Sequence, residues 1–347
     1  MEMKTGIVKD WRYIEHMMGN DHPESPRRIR VIYEMLEEEK IFSSFPIVDP
    51  RPAKHEEVAL IHTREYIEKI EETSGRERVY LDPDTSTSPC SYEVSLLAAG
   101  GLLEAADRIM EGKIQNGFAL VRPPGHHAEA SQARGFCIFN NIAIAAQYLI
   151  EKWKIRRVLI VDWDIHHGNG TQNSFFSRDD VLYFSTHQFP HYPGTGHWSE
   201  VGEGEGEGFT VNVPLAGGKT DDDYLVIYRE MLRPIAESFK PEFILVSAGF
   251  DTFAGDPLGG MEVSIAGFGA LTAELMGLAR KTSQDRMLLT LEGGYNLFGL
   301  KDGVRRVLLA LSGREQESPA RLSASPDLRR ELAPVIKAIK VFWPVVA

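Results

Sequence analysis

The chain has 347 residues, 43% of them hydrophobic and 25% charged, an ordinary composition for a soluble enzyme and long enough to bury a core without disulfides or a structural metal. Its 50 acidic residues outnumber 38 basic ones, and the net charge of −12 speaks against a nucleic-acid binder while favouring encounter with Lys-rich peptides or polyamines. No apolar run has transmembrane length, the opening "MEMKTGIVKDWRY" lacks a signal-peptide core, and Cys90 and Cys137 are the only cysteines, so a cytoplasmic protein away from membranes is expected.

No Pro/Ser/Gly-rich linker divides the sequence, and one domain over 1–347 is expected. Short apolar runs alternate with helical patterns. In chain order they predict a strand at Gly6–Lys9 and a helix at Pro26–Lys40, with Ser25 as N-cap and Pro26 at its first position. A helix at Tyr92–Met110, a strand at Gly117–Val121 and a helix at Asn141–Trp153 follow. Strands come next at Arg157–Val161, Val181–Ser185 and Thr210–Val213, then a helix at Asp222–Ser238. The last part predicts strands at Phe243–Ser247 and Met287–Leu291, with helices at Ile265–Arg280, Lys301–Leu311 and Leu328–Val341. Such alternation predicts an α/β fold, a mainly parallel sheet with helices on both faces. The run "GEGEGEG" (Gly202–Gly208) suits a mobile solvated loop and encodes no fixed calcium geometry, and Arg314–Pro326 reads as an irregular polar segment.

Four strand ends carry chemistry. In "RRVLIVDWDIHHGNGTQ" (Arg156–Gln172) a buried β-branched strand runs into Asp162, Asp164, His166 and His167, then into a Gly-rich loop with room for a ligand. Asp164 and His166, two apart in an extended segment, point to the same side and make half a zinc site; a hydrogen-bonded polar cluster would use the same residues. In "GFALVRPPGHHAE" (Gly117–Glu129) a stiff Pro-Pro-Gly turn presents His126 and His127, a pair suited to proton transfer or to plain hydrogen bonding. In "FILVSAGFDTFAGDPLGG" (Phe243–Gly260) Asp251 can supply a third ligand, whereas Asp256, in "GDP", reads as turn chemistry. In "MLLTLEGGYN" (Met287–Asn296) Tyr295 follows two glycines, so its phenol could swing towards an oxyanion or simply pack.

Together these motifs resemble the zinc-dependent histone deacetylase superfamily, which includes acetylpolyamine amidohydrolases and acetoin-utilisation proteins. The resemblance runs from "DHPESPRRI" (Asp21–Ile29) to "EGGYN", and "AGFDTFAGDPLGG" and "EGGYNL" are nearest the class II branch. It implies an arginase-like α/β fold with a central eight-stranded parallel sheet. It also implies Zn²⁺ held by Asp164, His166 and Asp251, His126 oriented by Asp162, His127 as the main general base, and Tyr295 polarising the scissile carbonyl. A structural K⁺ would use Asp162, Asp164, His166 and Ser185. Gly135, Phe136 and Tyr192 match positions lining the acyl-lysine tunnel, with Tyr192 standing where Phe is usual. Arg28 matches a residue at an internal cavity behind the metal, although a surface Arg at a helix start fits the local sequence equally.

Asn169 stands where class I members carry an Asp that pairs with the second His, and a neutral amide stabilises an imidazolium less. Leu258 stands where polyamine-deacetylating relatives carry a Glu. The activity implied is removal of acetyl or another short acyl group from a lysine side chain of a peptide or protein, with acetylated polyamines as the alternative substrate. An arginase-type manganese pair would need a carboxylate where Gly168 stands. A non-catalytic acetyl-lysine reader would be expected to carry a lesion among the ligands, the His pair or the Tyr, and none is present.

Overall fold

The computed structural model describes residues 4–314 and 322–346, so the 315–321 part of the expected irregular segment lies outside the described residues. The strands are β1 (Thr5–Val8), β2 (Ile47–Val48), β3 (Val79–Tyr80), β4 (Ser86–Thr87), β5 (Asn116–Ala119), β6 (Val158–Asp162), β7 (Val181–Gln188), β8 (Thr210–Leu215), β9 (Phe243–Ala248) and β10 (Met287–Leu291). Eight form one sheet in the order β2-β1-β5-β10-β9-β6-β7-β8, and every pairing is parallel. β3 and β4 make a separate antiparallel ribbon.

Every residue of β1, β5, β6, β9 and β10 is buried, as a parallel sheet covered on both faces requires. Ser91–Met110 and Asn141–Trp153 pack together on one side, and Ile265–Thr282, Leu297–Leu311 and Arg27–Glu38 form a second helical group. All seven predicted strands enter the sheet. The unpredicted member, β2, is a two-residue edge strand too short to carry a periodic signal.

Several local expectations are corrected. The first long helix begins at Arg27 with no side-chain cap; the Ser25 carbonyl accepts from the Arg28 N–H (3.0 Å) instead. The helix expected at Asp222–Ser238 carries a π turn at Tyr228–Leu232, next to Pro234, which has no N–H for the Glu230 carbonyl. The acidic glycine loop is anchored rather than loose. Glu203 N donates to the Phe176 carbonyl (2.9 Å), and a Cβ on Gly206 would lie 2.4 Å from that same oxygen, so these glycines serve close backbone approach. The Gly-rich loop after His167 is in fact the helix Asn169–Phe175, where a Cβ on Gly170 would lie 2.1 Å from the Ala128 carbonyl.

Candidate active site

β5, β10, β9 and β6 are adjacent in the sheet, and their carboxyl ends gather all four motifs above one patch of it. That is where an open parallel sheet leaves a crevice for a ligand. β6 ends at Asp162, and the chain then bends, so Asp164 and His166 meet through a turn rather than along an extended strand. Asp164 Oδ1 accepts from both the backbone N–H of His166 (2.9 Å) and its Nδ1 (3.0 Å). Asp251 arrives from β9, with its Oδ1 taking the Ile165 N–H at 2.9 Å.

Ligand atoms of Asp164, His166 and Asp251 lie within 4.8 Å of one another, and all three residues are buried. Asp251 Oδ2 is 3.2 Å from His166 Nδ1, yet it has no aligned hydrogen-bond partner. Two buried carboxylates, one with an orphaned oxygen, beside an imidazole fit a divalent cation of the zinc type. Gly293 closes the cluster from β10: a Cβ there would stand 2.0 Å from Asp251 Oδ2, so only glycine fits.

The two imidazoles of the His pair have opposite surroundings. His126 Nδ1 bonds Asp162 Oδ2 at 3.0 Å, and Tyr183 donates to the same oxygen. Burial opposes the His126 cation, but Asp162, Asp164 and Glu292 outweigh it and push its pKa up to about 10. His127 Nδ1 donates to Asn169 Oδ1 at 2.8 Å. Burial, with the His126 and His166 charges, holds His127 well below the usual imidazole range. Its Nε2 therefore carries a free lone pair at neutral pH. The Asn169 amide is oriented by Glu129, which accepts from its Nδ2 (2.5 Å) and was not anticipated from sequence.

A cavity of ≈ 230 Å³ opens over the cluster, and its lining includes His126, His127, Phe136, Tyr192, Leu258 and Tyr295, together with Gly135 and His166. Tyr192 and His127 set their rings edge-to-face, with centroids 5.1 Å apart, and Arg134 lies over the Tyr192 ring at 5.9 Å. His191, also unanticipated, stacks on His166 (5.1 Å) and donates from Nε2 to the Leu258 carbonyl (3.0 Å). Gly135 has φ +57, and a Cβ there would lie 2.3 Å from the His127 ring. Gly135→Ala is therefore expected to destabilise the chain by about 1–3 kcal/mol through overpacking, with His127 displaced. Thermal melts of the two proteins check this, and an unchanged midpoint would contradict it.

Arg28 is fully buried, not a surface residue. It donates to the carbonyls of Gly294 (2.7 Å) and Glu292 (2.5 Å) and lies 5.0 Å from the Tyr295 ring centre. Glu292 is a further buried group missed in the sequence. Its Oε2 accepts the N–H groups of Gly125 (2.7 Å) and His126 (3.2 Å), tying the His turn to the end of β10. Asp256 does make the expected turn bond, to Leu258 N at 3.0 Å, but it also accepts from the backbone of Tyr295 (2.7 Å) and Asn296 (2.8 Å). Ser185 faces Asp162 across the β6/β7 ladder.

A parallel α/β sheet with an Asp/His/Asp cluster, a buried His pair and a Tyr at one end defines a hydrolase-type centre. The profile of the histone deacetylase domain matches residues 22–311, and the chain belongs to that family. It is 40% identical to a probable deacetylase of Archaeoglobus fulgidus, over 86% of this chain and 83% of that protein. It is 37% identical to histone deacetylase 5 of Arabidopsis thaliana, covering all of this chain but 55% of that longer protein. Against the crystal structure of the HDA15 HD domain the TM-score is 0.93 at 38% identity, over 99% of this chain and 98% of that one. Family membership places the chain among deacetylases, and among the described residues no helix is long and apolar enough to cross a membrane.

Proposed function

We propose that this chain is a zinc-dependent amidohydrolase that removes acetyl, or another short acyl group, from the lysine side chain of a peptide or protein. The observation that carries this reading is the orphaned Asp251 Oδ2 beside Asp164 and His166, at a cavity that also holds His127 and Tyr295. Zinc held by Asp164, His166 and Asp251 would supply Lewis acidity to the amide carbonyl and to the attacking water. His127 Nε2 takes a proton from that water as it attacks. Positively charged His126, held by Asp162, stabilises the negative charge that builds beside it. Burial keeps the Tyr295 phenol protonated, and its hydroxyl donates to the carbonyl oxygen as that atom becomes an oxyanion. His127 then returns its proton to the leaving amine, and acetate and free lysine separate.

A K⁺ held by the backbone of Asp162, Asp164 and His166 and by Ser185 is part of the same reading. His187 Nε2 donates to the Gly196 carbonyl (2.8 Å), so its Nδ1 must accept the Ser185 proton (2.9 Å), leaving the Ser185 lone pairs for a cation. The reading treats 1–347 as one catalytic domain. Two free cysteines support a reducing cytoplasmic setting. Metal analysis together with turnover of an acetyl-lysine reporter tests the whole; protein with one metal per chain and no turnover would favour an acetyl-lysine reader.

Leu258 supports peptide over polyamine as substrate, because it lines the cavity with apolar surface and offers no charge to a distant ammonium. The net charge of −12 acts only at long range, and salt screens it beyond about 8 Å. Acetyl-lysine peptides are expected to exceed N8-acetylspermidine in kcat/KM. Leu258→Glu is expected to move that ratio towards the polyamine by roughly tenfold or more, about 1.4 kcal/mol for a new and partly desolvated charge contact. A wild type that already prefers acetylspermidine would put the polyamine reading first.

A further inference from the structure

We propose that Asp256 is the positioning residue for Tyr295, holding the phenol's backbone so that its hydroxyl reaches the reacting carbonyl; this rests on the deacetylase reading above. Tyr295 follows Gly293 and Gly294, and Gly294 has φ +116, so nothing local to the sequence restrains the turn. Arg28 holds the Glu292 and Gly294 carbonyls, and the N–H groups of Tyr295 itself and of Asn296 are held from 39–40 residues upstream. Asp256 is 5% exposed, and both its oxygens are occupied. Oδ2 takes the N–H groups of Tyr295 (2.7 Å) and Asn296 (2.8 Å), while Oδ1 takes that of Leu258 (3.0 Å).

Asn296 strengthens the clasp by donating from Nδ2 to the Gly255 carbonyl (3.0 Å), and its Oδ1 caps the helix Leu297–Leu311 through Phe298 N and Gly299 N (3.1 Å each). The 253–258 loop, the 294–296 turn and the helix start are thereby one unit. Charge-assisted bonds to a buried carboxylate are short and strong, so the phenol is pre-organised rather than recruited. The same carboxylate places Leu258, whose carbonyl receives the His191 N–H, so the tunnel wall and the oxyanion donor are set together.

The test compares wild type, Asp256→Ala and Asp256→Asn on an acetyl-lysine peptide and a trifluoroacetyl-lysine peptide. The fluorinated carbonyl is already electron-poor and needs less help from a hydroxyl donor. Asp256→Ala is expected to keep its bound metal and to lose about 10–100-fold in kcat on the acetyl peptide, with KM within about threefold. On the trifluoroacetyl peptide it should lose less than about fivefold, and Asp256→Asn, which keeps one acceptor oxygen, should recover most of the acetyl rate. In a Tyr295→Phe background Asp256→Ala should cost less than about threefold more, because the two residues act as one.

Independently of activity, amide hydrogen exchange at Tyr295 and Asn296 should accelerate in Asp256→Ala. If that variant does not fold, Asp256→Asn is read by the same criteria against wild type, with a smaller acetyl-selective loss expected. Equal losses on both acyl groups, full additivity with Tyr295→Phe, or unchanged kcat would overturn the proposal. A wild type inactive on both peptides would remove the deacetylase reading instead, while exchange at the two amides would still report whether Asp256 holds the turn.

Discussion

Asp251→Ala is expected to give a folded protein with no tightly held divalent metal and no measurable turnover. The carboxylate is completely buried and is one of the two in the ligand cluster, so its removal leaves Asp164 and His166 as the remaining ligands of that cluster. Loss of a mere outer partner of a metal ligand costs about 10–100-fold in metal affinity or activity, and loss of the ligand itself should exceed that. The structural cost is smaller and has two parts. The Ile165 N–H loses its acceptor, a penalty of about 1–3 kcal/mol for an unpaired buried donor. Against that, the protein is relieved of a carboxylate that burial and Asp164 push up to about 7. The fold should therefore survive. Metal content, far-UV circular dichroism and reporter turnover check the three parts separately, and metal-stripped wild type with full activity would remove the metal from the reading.

Tyr295→Phe should cost about 10²–10³ in kcat, or about 2.7–4 kcal/mol, with KM nearly unchanged. The substitution deletes one oxygen and keeps the ring that contacts Phe136 (centroids 5.9 Å apart) and Arg28. The backbone bonds to Asp256 are untouched, so thermal stability should hardly move. A donor that matters only when the carbonyl oxygen gains charge is felt in the transition state and not in the bound ground state. Near wild-type kcat would return Tyr295 to a packing role. A raised KM at constant kcat would instead mark it as a general binding group.

The two substitutions differ in how visible their residues are in the chain. Asp251 and Tyr295 each stand just past a buried apolar run, in "FILVSAGFD" and "MLLTLEGGY", and that position marks them. The buried groups that hold the site's turns in place carry no such mark. Asp256 sits in an ordinary Gly-Asp-Pro turn, and only its bonds to Tyr295 and Asn296 reveal that it does more. Arg28 looks like a solvated residue at a helix start, but its guanidinium reaches carbonyls 264 and 266 residues away. Glu292 follows a strand like any loop acid, and its acceptor role depends on the Gly125 turn 167 residues earlier.

The strands and helices that periodicity can describe were determined by the sequence itself. A strand buried on both faces must be a continuous apolar run, as in Val158–Val161 and Phe243–Val246, and chemistry at its end interrupts that run abruptly. The tertiary structure decided what periodicity cannot encode. β2, two residues long between Pro46 and Pro50, becomes a strand only because β1 offers it an edge. Asn169–Phe175 forms a helix despite its glycine because Gly170 answers to the Ala128 carbonyl and not to local propensity. The unequal surroundings of His126 and His127 arise because Asp162 reaches one ring and Asn169 the other, on a segment 36–42 residues further along. A hydrogen bond between distant segments leaves no spacing in either of them, so only the folded chain can display it.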